Sequence, residues 1–130
     1  MTVRHTSHVR HDLWYHFTWS TKYRKKVWLD DAEREAVKRL FREVAGKYDF
    51  AVGEIELLSD HVPFTPTAPP RIAPARAAQI MKSVTTRLLF HQYPRLKKLY
   101  WGGELWVTGY IVRSVGPGLT KEQIDGYIKE

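Results

Sequence analysis

The sequence predicts an α+β fold in which helices cover one face of an antiparallel sheet. Three observations carry that prediction. Strand-like segments rich in aromatic and β-branched residues alternate with two long helical patterns. The order read along the chain is β-α-β-β-α-β-α. The two middle strands are separated only by the short turn Ser59-Asp60, so they are compatible with a hairpin. Two hairpin strands between two crossing helices give the split-βαβ, ferredoxin-like sandwich (βαββαβ), here with an extra C-terminal helix.

Each element has its own warrant. Residues 13–19, LWYHFTW, form an aromatic-rich strand, followed by a basic connection over 20–29. Asp30 or Asp31 caps a helix whose apolar positions Ala36, Val37, Leu40, Phe41, Val44, Ala45 and Tyr48 keep helical spacing, ending at 46–49. A second strand spans 51–58, with Val52, Ile55 and Leu57 in imperfect alternation, and a third extended segment spans 61–68. Pro69, Pro70 and Pro74 mark the entry to a second helix over 75–92, with Ala77, Ile80, Met81, Val84 and Leu88 on its inner face. A loop with Gly102-Gly103 leads to a fourth strand over 105–114, which Gly116-Pro117-Gly118 breaks. Thr120-x-x-Gln123 then has the form of a capping box, opening a helix with Ile124, Tyr127 and Ile128 on one stripe. No repeat or linker divides the chain, so residues 1–130 read as a single domain with a mobile N-terminus over 1–12. The sheet face opposite the helices is expected to be open.

The charge balance narrows the partners. The 130 residues hold 21 Lys and Arg against 14 Asp and Glu, a net charge of +7, which favours polyanions and nucleic acid first. Aromatic rings sit among the cations in WSTKYRKKVW (19–28) and YPRLKKLYWGGELW (93–106). Cations neutralise phosphates and exposed rings stack on unpaired bases, although the same rings also serve as core or cation–π partners. Lys22, Tyr23, Arg24, Lys25 and Lys26, with Arg87 of the second helix, are the candidate nucleic-acid contacts. There is no cysteine, which excludes disulfides and thiolate metal sites. The absence of an apolar spanning stretch or signal sequence predicts a cytoplasmic protein with no membrane partner.

Four segments in order carry a family resemblance. YHFTWSTKYRKKV (15–27), SDHV (59–62), WGGELWVTGYIVRSVG (101–116) and IDGYIKE (124–130) together resemble the bacterial insertion-sequence transposases of the HUH single-tyrosine class, the insertion sequence 200-like transposases. That resemblance implies a homodimer acting on single-stranded or hairpin DNA with a divalent cation, Mg²⁺ or Mn²⁺. It also implies that Tyr127 is the catalytic nucleophile, forming a 5′-phosphotyrosine, and that His61 is a metal ligand. Read from its helix alone, Tyr127 is an ordinary packing residue on an apolar stripe.

The chain departs from the family pattern at one place. Residues i and i+2 of a strand face the same way, so His-x-His presents two imidazoles to one cation, but here the second position is Pro63. Pro63 and Pro66 lack N–H groups that would point to opposite edges, so a mid-sheet strand needs a bulge or local unzipping there. A further family ligand, a Gln one turn after the tyrosine, would fall at position 131, and Asp60 or Glu130 are the carboxylates available as substitutes. Among the other histidines, His16 reads as a sheet residue, His5, His8 and His11 as solvated, and His91 as a helix-end cation. Three functions follow: an active transposase, a relative that binds hairpin DNA without cutting it, and an RNA-binding domain of similar topology.

Overall fold

The computed structural model describes residues 14–115 and the backbone of residues 4–6 and 9–11. The elements are β1 (Arg4–Thr6), β2 (Val9–His11), β3 (Trp14–Ser20), α1 (Asp31–Lys47), β4 (Val52–Ile55), β5 (His61–Pro66), α2 (Pro74–Gln92), α3 (Pro94–Leu99) and β6 (Ile111–Val115). β1 and β2 pair as a small antiparallel ribbon, where the sequence reads only as a mobile tail.

The main sheet has the order β4-β5-β3-β6, and each neighbouring pair is antiparallel. β4 is therefore parallel to β3 with β5 between them, and β6 is parallel to β5 across β3. Those are the order and directions of the split-βαβ sandwich, so the fold class read from the sequence is the one observed. Odd positions of β3 face the helices. Phe17 and Trp19 meet Phe64 of β5 at ring separations of 5.6 and 5.2 Å, and Trp19 stacks on Phe41 of α1 and meets Trp106 edge-on. Burying so many large rings is the main term holding helices to sheet, because each removes some 150–250 Å² from water. The Asp30 carboxylate caps α1 by accepting from the Glu33 backbone N–H at 2.8 Å.

β5 carries both prolines in the interior of the sheet. The Pro63 carbonyl accepts from Glu56 N–H at 3.0 Å, so residue 63 faces the β4 side and its missing donor costs one bond there. Pro66 faces β3, and the β3–β5 ladder stops after the Phe17–Phe64 pair, returning as the single bridge Trp14–Thr67. Across the other flank the β4 register slips between Val52 and Glu54, leaving Gly53 as the extra residue opposite Thr65-Pro66. The sheet thus accommodates the prolines with both devices, an interrupted ladder and a bulge.

Several boundaries differ from those read in the sequence. β4 is shorter than 51–58, and β5 ends at Pro66 rather than 68. The inner line of α2 runs through Thr85 and Leu89, while Val84 and Leu88 are half-buried. A threonine tolerates that centre because its hydroxyl donates to Met81 O at 2.5 Å and accepts from Trp106 Nε1 at 3.1 Å. The last strand starts at Ile111 rather than 105. The carbonyls of Val107, Thr108 and Gly109 are taken by Lys82 Nζ at 2.5, 3.0 and 3.1 Å, so that stretch is tied to α2. α3 occupies part of what reads as a loop, with Pro94 at its first turn.

The face of the sheet away from the helices is not fully open. His16 and Thr65 lie there, 7% and 0% exposed, with Pro63 also buried. The Trp14 indole covers one end and crowds Gly53, where an added Cβ would meet Trp14 Cζ3 at 3.0 Å.

Candidate functional site

The basic turn follows β3 directly, and backbone bonds fix its path. Thr21, fully buried, donates its N–H to Asp60 O at 2.9 Å, and its hydroxyl reaches Lys25 O at 2.8 Å. Lys22 N–H donates to Leu105 O at 2.7 Å, and Tyr100 hydroxyl donates to Lys22 O at 2.8 Å. A single 3-10 turn, Lys22–Arg24, then carries Tyr23 and Arg24 at φ of 61° and 52°. Two non-glycine residues in the left-handed region are sustained only where their surroundings over-determine the backbone, as these do. The result is an exposed loop with a rigid base.

The five turn candidates divide by environment. Lys22 pairs with Glu104 at 3.0 Å, and that hydrogen bond raises its pKa above the ordinary lysine value. Arg24 Nε donates to Asp60 Oδ2 at 3.2 Å. Lys25 Nζ lies between the Tyr23 and Tyr100 rings, 5.8 Å from each centroid. Lys25 and Lys26 are exposed and have no carboxylate partner among the described residues. Tyr23 is 74% exposed. Lys25, Lys26 and Tyr23 therefore face solvent with charge and ring available, whereas Lys22 and Arg24 also hold the turn in place.

Arg87 is not part of this cluster. It lies on the exposed side of α2, lining a groove of about 610 Å³ together with Lys82, Thr86, Lys97, Glu104 and Tyr110. Glu104 belongs to both places, since it also holds Lys22.

His61 opens β5 opposite Ser20, and Pro63 stands two residues on, opposite Thr18. Its Nδ1 lies 2.9 Å from Asp60 Oδ1. Asp60 is held below the usual carboxylate range, first by this hydrogen bond and then by Arg24. With Nδ1 as the donor, Nε2 keeps its lone pair, the tautomer in which a histidine binds a cation or accepts a proton. His16 is four positions along β3 from the Ser20 row, near Thr65 at 3.4 Å, and does not complete a pair with His61.

The described residues around His61 do not by themselves fit a divalent cation. Among the described residues no group of three His, Asp or Glu side chains converges anywhere, and a ring-closed residue fills the position where a second imidazole would project. Asp60, the nearest carboxylate, already receives hydrogen bonds from Arg24 and His61 rather than standing free as a substitute ligand. Tyr127, its helix, the 120–123 capping sequence and Glu130 lie outside the described residues.

Sequence reasoning missed the partners that shape the turn, Tyr100 and Glu104. Only the alternation of rings and cations over 93–106 hinted at them. No helix among the described residues is long and apolar enough to cross a membrane.

Comparison with known proteins agrees with this architecture. The ISDra2 transposase TnpA of Deinococcus radiodurans is 32% identical over 119 residues, covering 92% of this chain and 84% of that protein. The transposase for insertion sequence element IS200 of Salmonella typhimurium is 28% identical over 123 residues, covering 95% and 79%. A crystal structure of a transposase candidate from Deinococcus radiodurans superposes with a TM-score of 0.74 at 30% identity, covering 97% of this chain and 95% of that one. A REP-associated tyrosine transposase bound to a REP hairpin shares the fold, with a TM-score of 0.55 at 15% identity over 98% of this chain and 68% of that one. Residues 9–130 match the family described as "Transposase IS200 like", and the chain belongs to that family.

Proposed function

We propose that this chain binds single-stranded or hairpin DNA as a homodimer, gripping phosphates with the turn 21–26, and that its strand-cleaving activity is impaired. The observation that carries the second half is that Pro63, two residues on in β5, shares the strand face of His61. Family resemblance casts Tyr127 as the nucleophile. A tyrosine phenol titrates near ~10, so at neutral pH it attacks a phosphodiester slowly unless nearby positive charge stabilises the phenolate and the scissile phosphate. A single imidazole with its neighbouring carboxylate already engaged provides little of that charge.

The DNA-binding half rests on the exposed Lys25 and Lys26 beside Tyr23, which have no carboxylate partner among the described residues, on the net charge of +7, and on the hairpin-bound neighbour of the same fold. The RNA-binding reading needs an accessible sheet face, and His16, Pro63 and Thr65 are buried there.

A labelled DNA hairpin titrated at several salt concentrations tests the binding. Affinity should fall steeply with salt, and Lys25→Glu with Lys26→Glu should flatten the slope by about 0.7–0.9 for each phosphate no longer neutralised. Salt-independent affinity, or an unchanged slope in the double variant, would remove the turn from the footprint.

A further inference from the structure

One exposed ring takes no part in the packing of the described residues. Trp101 is 87% exposed, while the other four tryptophans, Trp14, Trp19, Trp28 and Trp106, are buried.

Its turn is built to hold it there. Tyr100 is buried and donates to Lys22 O at 2.8 Å, Gly103 N–H donates to Tyr100 O at 2.8 Å, and Gly103 takes a φ of 93° that favours glycine. Glu104 pairs with Lys22 and Leu105 O accepts Lys22 N–H. The Trp101 turn and the Tyr23 turn are thus stapled together through Lys22, with Lys25 seated between the Tyr23 and Tyr100 rings. Lys97 and Lys98 precede Trp101 at the end of α3, and among the described residues neither pairs with a carboxylate. Two solvent-facing rings on adjoining rigid turns, with Lys25 and Lys26 following Tyr23 and Lys98 three residues before Trp101, match a strand whose bases are unpaired. Rings offer stacking without sequence preference, and the ammonium groups meet the phosphates between them. A second protein copy with the same dense positive charge would be repelled from this corner.

We propose that Trp101 is a base-stacking residue that, with Tyr23, forms a platform for unpaired nucleotides of the bound DNA, distinguishing them from paired stem. This inference deepens the DNA-binding reading above and depends on it. Because Trp101 alone among the tryptophans is accessible, collisional quenching of tryptophan fluorescence reports chiefly on its environment.

Two DNA probes are used: a hairpin with an unpaired thymine loop and flank, and a blunt duplex of the same stem. Acrylamide quenching of the wild-type protein should fall when the hairpin binds and change little with the duplex. Trp101→Ala should weaken hairpin binding about 5- to 100-fold, as expected for losing one base stack, and leave duplex binding and thermal stability unchanged, while Trp101→Phe should retain most of the affinity. If the protein binds the hairpin with the expected salt dependence but Trp101→Ala binds equally well and quenching is unprotected, the platform is wrong and the DNA-binding reading stands. If neither probe binds, both fail. Protection from quenching that grows with protein concentration in the absence of DNA would assign the ring to self-association and overturn the proposal.

Discussion

Asp60 joins Arg24 to His61: one carboxylate oxygen accepts from the guanidinium at 3.2 Å and the other from the imidazole Nδ1 at 2.9 Å. This one side chain therefore orders the entry of β5 and the end of the basic turn, which Asp60 O also holds through Thr21 N–H at 2.9 Å.

The Asp60 carboxyl titrates lower in the folded chain than in an unfolded one, first because of His61 and then because of Arg24. A group depressed in this way stabilises the fold above its unfolded pKa, near ~3.9, and that contribution fades as pH falls through the folded value. Urea unfolding of the wild type and Asp60→Asn between neutral pH and pH ~3 should show a stability difference that is largest near neutrality and shrinks as pH falls below ~3.9. A difference that persists undiminished in acid would mean the carboxylate charge is not what matters.

Lys82 should be a structural lysine. Burial lowers its pKa, yet three carbonyls of the 107–109 loop receive its ammonium, and it lies over the Trp19 and Tyr110 rings at 5.9 and 5.8 Å. Lys82→Met keeps the apolar stem and leaves those carbonyls without their donor, so unfolding free energy should drop by about 1–3 kcal/mol. Amide exchange should accelerate across 107–111, and unaltered exchange there would count against the clamp.

Gly53 should tolerate no side chain without cost. A Cβ there would lie 3.0 Å from Trp14 Cζ3 and 3.3 Å from Thr65 O, and the second neighbour is backbone that cannot swing aside. Gly53→Ala should destabilise by about 1–3 kcal/mol in urea denaturation, the usual cost of overpacking. In a Trp14→Leu background the same substitution should cost less, because the indole contact is already gone.

The fold was readable because its pattern is strong where its core is strong. Alternation through Phe17 and Trp19, helical spacing through Val37, Phe41 and Val44, and the Asp30 cap all coincide with the observed elements. What escaped sequence reading is set by long-range contacts. Residues 105–110 have strand-like composition, but Lys82 claims their carbonyls; Thr85 looks like a surface position until Trp106 supplies its hydrogen bond. The prolines of β5 forecast a disturbed ladder correctly, although its bulge falls on the neighbouring strand at Gly53, where the sequence bore no mark beyond a glycine. At the site, the cations of 22–26 were legible as a group. Their division into Lys22 and Arg24, which brace the turn, and Lys25 and Lys26, which face solvent, depends on Glu104 and Asp60 arriving from elsewhere.

Pro63→His should put a second imidazole on the same face as His61 while restoring an N–H toward Glu56. Calorimetry with Mn²⁺ should detect little binding to the wild type and measurable binding to the variant. Adding Asp60→Ala to the variant should weaken that binding about 10- to 100-fold, as losing the partner that orients a ligating histidine does. No heat of binding in either protein would show that position 63 alone does not decide cation affinity.

A strand face carrying a single imidazole is the ground for impaired cleavage, and covalent trapping tests it most directly. Labelled single-stranded hairpin DNA is incubated with the protein and Mg²⁺ or Mn²⁺, then denatured and searched for a protein–DNA adduct. The prediction is binding without appreciable adduct for the wild type. An abundant adduct that disappears on Tyr127→Phe would contradict it and establish an active transposase despite Pro63.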